Sequence, residues 1–90
     1  AADLGIIATV ASSYKNIPIS QTTVVMGEVG LTGEVRRINL IEKRLKEAEK
    51  LGFKTCIIPE NNKKGLKDDY KLDIIGVKNI GEMLRILKIK

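Results

Sequence analysis

The stretch Leu40-Ile41-Glu42-Lys43-Arg44-Leu45-Lys46-Glu47-Ala48-Glu49-Lys50-Leu51-Gly52-Phe53-Lys54-Thr55-Cys56-Ile57-Ile58-Pro59 changes its pattern midway. At about 100° per residue, Leu40, Ile41, Leu45, Ala48 and Leu51 fall on one side of its first half. Lys43, Lys46 and Lys50 fall together on the opposite side, so the period predicts an amphipathic helix over Leu40–Leu51. Gly52 suits the position just past a helix end. Phe53–Ile58 is then a second β-rich run ended by Pro59, which predicts a strand. A helix feeding straight into such a strand places the chain in the α/β class.

Downstream, Glu60–Tyr70 is polar and holds Asn61-Asn62-Lys63-Lys64-Gly65, a loop with one short helical turn around Leu66. Leu72–Val77 reads as a third strand, and Asn79 as the cap of a last helix through Leu87. Upstream, three glycines spaced by three in Gly27–Gly33 predict a turn or hairpin with positive φ. Glu34–Ile38 reads as a short strand, with Asn39 as an N-cap for the Leu40 helix. Thr22–Met26 is β-branched and continuous, the pattern of a strand buried on both faces. Leu4, Ile7, Val10, Ala11 and Tyr14 recur at helical spacing between an Asp3 cap and a stop at Asn16 and Pro18. The first residue is not Met and stands at the head of a core helix. The expectation is a chain cut from a longer one, with strands missing before it. A dimer of the fragment would then be a product of the cut.

Ninety residues make one domain, 1–90, with no internal repeat and no linker. Hydrophobic residues make up 43%, and Leu, Ile, Val and Phe alone about a third, far above the roughly 20% below which chains stay disordered. No apolar run approaches the roughly 20 residues a spanning helix needs, and the start is not that of a signal peptide. The expectation is a cytosolic chain without a membrane partner. The single Cys56 excludes an intramolecular disulfide and a multi-cysteine zinc site. With no histidine, Ser-His-Asp and Cys-His nucleophile systems and histidine metal ligands are excluded too.

Chemistry-bearing motifs are sparse. Neither G-x-x-x-x-G-K-[ST] nor G-x-G-x-x-G occurs. Glu28 and Glu34 read as turn carboxylates that pair with Arg36 and Arg37 rather than as a glycosidase pair, which needs a sugar cleft. Ser12 and Ser13 lie inside a helix with no base in reach by sequence, and Cys56 sits mid-strand as a core thiol. The net charge of +5 is uneven: residues 1–35 sum to −2 and residues 36–90 to +7. The stripe Lys43, Lys46 and Lys50 has two readings. One is a solvated helix face supported by Glu42–Lys46 and Lys43–Glu47 pairs. The other is a phosphate-contacting ridge extended by Arg36, Arg37, Arg44 and the Lys63, Lys64 and Lys67 loop. No aromatic residue interleaves these positions, so stacking on single strands is not indicated.

Gly27-Glu28-Val29-Gly30-Leu31-Thr32-Gly33-Glu34-Val35-Arg36, Ile41–Lys54, Ile57-Ile58-Pro59-Glu60-Asn61-Asn62 and Ile75-Gly76-Val77 together resemble the C-terminal domain of the bacterial RadA (Sms) family of DNA-repair proteins. Asp3–Tyr14 is similar to that family's preceding helix. The resemblance covers essentially the whole chain. That domain is in turn similar to the proteolytic domain of Lon protease, so the implied fold is ribosomal protein S5 domain 2-like, truncated at its N-terminal side. Lon-type proteases use a serine–lysine dyad. Alignment without gaps from Ile17-Pro18-Ile19 puts the serine position at Ala1, and alignment through Val35 and Ile57-Ile58-Pro59 puts the lysine position at Glu42. Lys43 is adjacent, yet one residue along a helix turns a side chain by about 100°.

The resemblance therefore implies a domain that is not an enzyme. Its expected role is a DNA-binding and self-associating platform of a RadA-type, ATP-dependent recombination motor that works as a hexameric ring. ATP, magnesium and zinc belong to the remainder of such a motor, and no cofactor is implied for this segment. The alternatives are a fragment of a Lon-type serine peptidase and a pure oligomerisation module.

Overall fold

In the computed structural model, which describes residues 2–67 and 69–89, the chain order is β1 (Ala2–Asp3), α1 (Leu4–Lys15), β2 (Thr23–Val25), β3 (Glu28–Val29), β4 (Val35–Arg36), α2 (Ile41–Lys50), β5 (Thr55–Pro59), α3 (Glu60–Lys63), β6 (Asp73–Val77) and α4 (Ile80–Ile86). The β-rich runs of the sequence form one parallel sheet in the order β2-β5-β6, with Val24 opposite Cys56 and Cys56 opposite Ile74. A second, antiparallel sheet in the order β1-β3-β4 is the glycine-rich hairpin plus the residues before α1. The domain is thus a small α/β unit with mixed sheets.

Alternation along the parallel strands sends successive side chains to opposite faces, and each face has its own core. On one face Leu4 and Ala8 of α1, Met83 of α4, and Val29 and Val35 of the hairpin close over Ile57 and Val77. On the other, Leu45 and Ala48 of α2 close over Cys56 and Ile58, with Leu72 beside them. β5 is the central strand and is buried from Cys56 to Pro59. β2 forms an edge and is only half-buried, with Val24 and Met26 packed toward one core and Val25 toward the other. Thr22–Met26 is thus partly covered on each face rather than buried as expected, and the fully buried strand is β5.

Local signals explain the helix ends. The Asp3 carboxylate accepts from the Ile6 N–H at 3.0 Å and starts α1, and Asn16 ends it in the left-handed region at φ 60°. Asn79 Oδ1 accepts from the Glu82 N–H at 2.9 Å and starts α4. Gly52, at φ 90°, follows the end of α2. Asn39 does not cap α2. That place belongs to Leu40, which adopts φ 60° and has no side-chain cap. Leu40 and Leu51 were expected on the buried side, yet both stand exposed at the two ends of the helix, as do Val10 and Tyr14 on α1. The short helical turn lies at Glu60–Lys63, earlier than the expected Leu66, because it begins directly at the end of β5.

The hairpin turns through Gly30–Glu34, closed by Gly30 N–H to the Glu34 carbonyl at 2.9 Å. Only Gly27 and Gly33 of its three glycines have positive φ. Gly30 serves space instead, since the Glu34 carboxylate occupies the region where a β-carbon would stand.

Candidate nucleic-acid interface

The basic residues separate onto two surfaces. The first is the outer side of α2. Lys43, Lys46 and Lys50 are exposed there, opposite Leu45 and Ala48. Two of the helix's acidic residues are turned the other way and hold the segment before β6. Glu42 Oε1 accepts from the Tyr70 hydroxyl at 2.8 Å, and the Glu49 carboxylate accepts from the Lys71 N–H. Glu47 remains on the cationic side, beside Lys43 and Arg44. These three border an apolar groove of about 420 Å³ with Val24, Met26, Leu40, Ala48, Leu51 and Phe53 along it. Arg44 also reaches a smaller cavity with Asp3, Glu28 and Asn39.

The second surface is a cleft of about 510 Å³ where three chain segments converge. Arg36 and Arg37 come from the end of β4, Glu60, Asn61 and Lys64 from α3 and its exit, and Val77 and Lys78 from the end of β6. Two joints set this convergence. The Val35 N–H donates to the Lys78 carbonyl at 2.8 Å, which ties β4 to the end of β6. The Asn62 side chain makes the other joint: its Oδ1 accepts from the Ile38 N–H at 2.8 Å and its amide donates to the Ile38 carbonyl at 3.0 Å. Asn62 is the buried polar residue among the described ones, 3% exposed, and both ends of its amide are satisfied.

The charges within this cleft are not equivalent. Arg36 donates to the Glu34 carboxylate from Nη2 at 3.0 Å and Nε at 3.2 Å, and Glu34 also accepts from Thr32 Oγ1 at 2.6 Å. The Thr32 hydroxyl first, with further hydrogen bonds including those from Arg36, holds the Glu34 carboxyl down at about 2. Arg36 is therefore largely committed to the hairpin. Arg37, Lys64 and Lys78 are exposed, and no ion pair among the described residues joins them.

Of the residues named from the sequence, the fold brings Arg36, Arg37 and Lys64 to one cleft and leaves Lys43, Arg44, Lys46 and Lys50 on α2. Lys63 is exposed on α3 but does not line the cleft. Sequence reading missed Lys78 and Asn62. The signal for Lys78 was its place at the end of a strand, one residue before a helix cap. Nothing local marks Asn62, whose partner Ile38 lies 24 residues away.

The catalytic possibilities are limited by what surrounds each group. The Ser12 hydroxyl donates to the Ile17 carbonyl inside the turn after α1. Cys56 is fully buried, and that burial pushes its thiol up to about 11. Glu42, the residue expected at the Lon-type lysine position, is held by Tyr70. Ala1, the residue expected at the serine position, lies outside the described residues. No group of three or more potential metal-ligating side chains occurs among the described residues, and no described helix is long and apolar enough to cross a membrane.

Comparison with known proteins adds two findings. Residues 1–62 match the family model described as subunit ChlI of Mg-chelatase. Over 85 residues the chain is 49% identical to DNA repair protein RadA of Bacillus subtilis (strain 168) and 47% identical to that of Listeria monocytogenes, covering 94% of this chain and 19% of each relative. It is 44% identical to DNA repair protein RadA of Streptococcus pneumoniae, over 94% of this chain and 20% of that protein. The chain thus spans about a fifth of the length of the relatives it matches.

Proposed function

The chain belongs to the family described as subunit ChlI of Mg-chelatase, and from that premise we propose that it is a non-catalytic, DNA-binding and self-associating domain of a RadA-type recombination motor in the cytosol. The single observation that carries the reading is the 49% identity over nearly the whole chain to a protein named for DNA repair. The fold proposed with it is the Lon-protease-like, S5 domain 2-like one. Two parallel crossovers onto one sheet support it.

Three features of the molecule fit this role. Two exposed basic surfaces offer phosphate contacts. Ile6, Val10 and Tyr14, spaced by four along α1, leave an apolar stripe on the outside, which fits contact with another protein surface. Glu42 supplies a carboxylate where a dyad needs a neutral amine, and it is already hydrogen-bonded. Within a hexameric motor, ATP, magnesium and zinc would act on parts of the motor other than this segment.

The test is binding of the chain to a labelled DNA duplex across a salt series, with sedimentation to follow self-association. Affinity that falls steeply with salt supports the DNA role. No binding at low salt by a folded chain removes that role. Hydrolysis of a denatured protein substrate by the chain would overturn the non-catalytic reading.

A further inference from the structure

We propose that the DNA backbone is held in the cleft between the end of β4, α3 and the end of β6, by Arg37, Lys64 and Lys78, and not along the α2 ridge. This rests on the DNA-binding reading above and names its site.

Shape is the first argument. Like-signed charges lining a concavity with low-dielectric walls focus their potential, whereas the same charges on a convex helix are spread into solvent. Lys46 and Lys50 stand on the outside of α2, and Lys43 and Arg44 border an apolar groove where Glu47 offsets one of the two charges. Arg37, Lys64 and Lys78 instead line one cleft whose apolar walls are Val35 and Val77.

Preorganisation is the second. Each cation comes from a different segment, so their spacing would wander if the segments moved independently. They do not. The Val35–Lys78 backbone bond fixes one pair of segments and the double Asn62–Ile38 bond fixes another. Asn62 touches no ligand in this arrangement and acts as a positioning residue. Arg37 immediately precedes Ile38, and Lys64 lies two residues beyond Asn62, so the joint sits between the two cations it spaces.

Charge is the third. The carboxylates of the cleft are Glu34 and Glu60. Glu34 is occupied by Thr32 and Arg36, and Glu60 lies against Gly76 of β6. Glu60 keeps its charge, so three cations face one carboxylate and the cleft stays net positive toward an anion. No aromatic side chain lines the cleft, so it suits phosphates rather than bases and gives contact without sequence preference.

The test compares two variants of equal charge change, Arg37→Ala/Lys64→Ala/Lys78→Ala and Lys43→Ala/Lys46→Ala/Lys50→Ala, by anisotropy of a labelled duplex over a salt series. All six residues are exposed, and circular dichroism verifies that both variants fold. Each phosphate contact contributes about −0.9 to the slope of log affinity against log salt. The cleft variant is expected to reduce the slope by about 2–3 and to weaken all sequences alike. The ridge variant is expected to reduce it by less. A cleft variant with the original slope overturns the proposal, as does an equal loss in both variants, which would report net charge alone. In either case the DNA-binding reading stands as long as the unaltered chain binds. An unaltered chain that binds no duplex at low salt overturns both.

Discussion

The two faces of the parallel sheet are buried alike and finished differently. Under α2, Leu45, Ala48, Cys56 and Ile58 close a core, and the outside of the helix carries Lys43, Lys46 and Lys50. Under α1, Leu4, Ala8, Ile57 and Val77 close an equivalent core, but the outside carries Ile6 at 65% exposed, Val10 at 62% and Tyr14 at 84%. The inner faces answer to one requirement, close packing on β-branched strands. The outer faces answer to what each meets, and only α2 has the charged exterior of a helix in water. Apolar periodicity therefore finds a helix without saying which of its apolar residues are inside.

The comparison breaks first at the cores. Leu45→Ala and Leu4→Ala, each of a fully buried leucine, are expected to cost about 2–5 kcal/mol in urea unfolding. A large cost in one and a small cost in the other would mean that the faces are not equivalent after all. Asn62→Ala comes next, at about 1–3 kcal/mol in the same assay, because it leaves the Ile38 N–H and carbonyl unpaired in a part-buried site. Leu40→Gly is expected to stabilise by about 1 kcal/mol, since a leucine in the left-handed region is strained and glycine is not.

These three predictions also mark how far the sequence can be read. The caps at Asp3 and Asn79, the stop at Gly52 and the strands at Phe53–Ile58 and Leu72–Val77 were legible, because each depends on neighbours within a few residues. The expected α/β class followed from them. Leu40 was misplaced because its backbone leaves the helical region just before α2, so the helical period does not extend to it. Leu51 is the C-cap of α2 and borders the open groove with Met26 and Phe53 instead of entering the core. The basic residues were legible as candidates but not as two groups. Their separation depends on the Val35–Lys78 and Asn62–Ile38 joints, which link residues far apart in the chain.

Smaller effects sharpen the contrast. Ile6→Ser, Val10→Ser and Tyr14→Ser are each expected to change unfolding stability by less than about 0.5 kcal/mol, as surface substitutions do, while weakening self-association seen by sedimentation. A substantial loss of stability would show that this side of α1 belongs to the core. The least effect is that of acid on the hairpin. Glu34 has its carboxyl lowered from 4.5 to about 2 by Thr32 and Arg36. Its stabilising contribution is complete above the unfolded value and is lost as pH falls through the folded one. A carboxyl NMR titration of Glu34 should show its midpoint near 2, and a midpoint near 4.5 would mean that the hairpin contacts are absent in solution.

Glycine 76 carries a consequence beyond its strand. A β-carbon built there would stand 3.1 Å from the Glu60 Cα and would overlap the Glu60 side chain. The resting distance between α3 and β6 is therefore gauged by a missing methyl group. Gly76 does not line the cleft, but an alanine in its place would displace the Glu60 side chain and press on α3 from behind at the Glu60 Cα. The aperture is calibrated from behind, by a residue that no bound chain would touch.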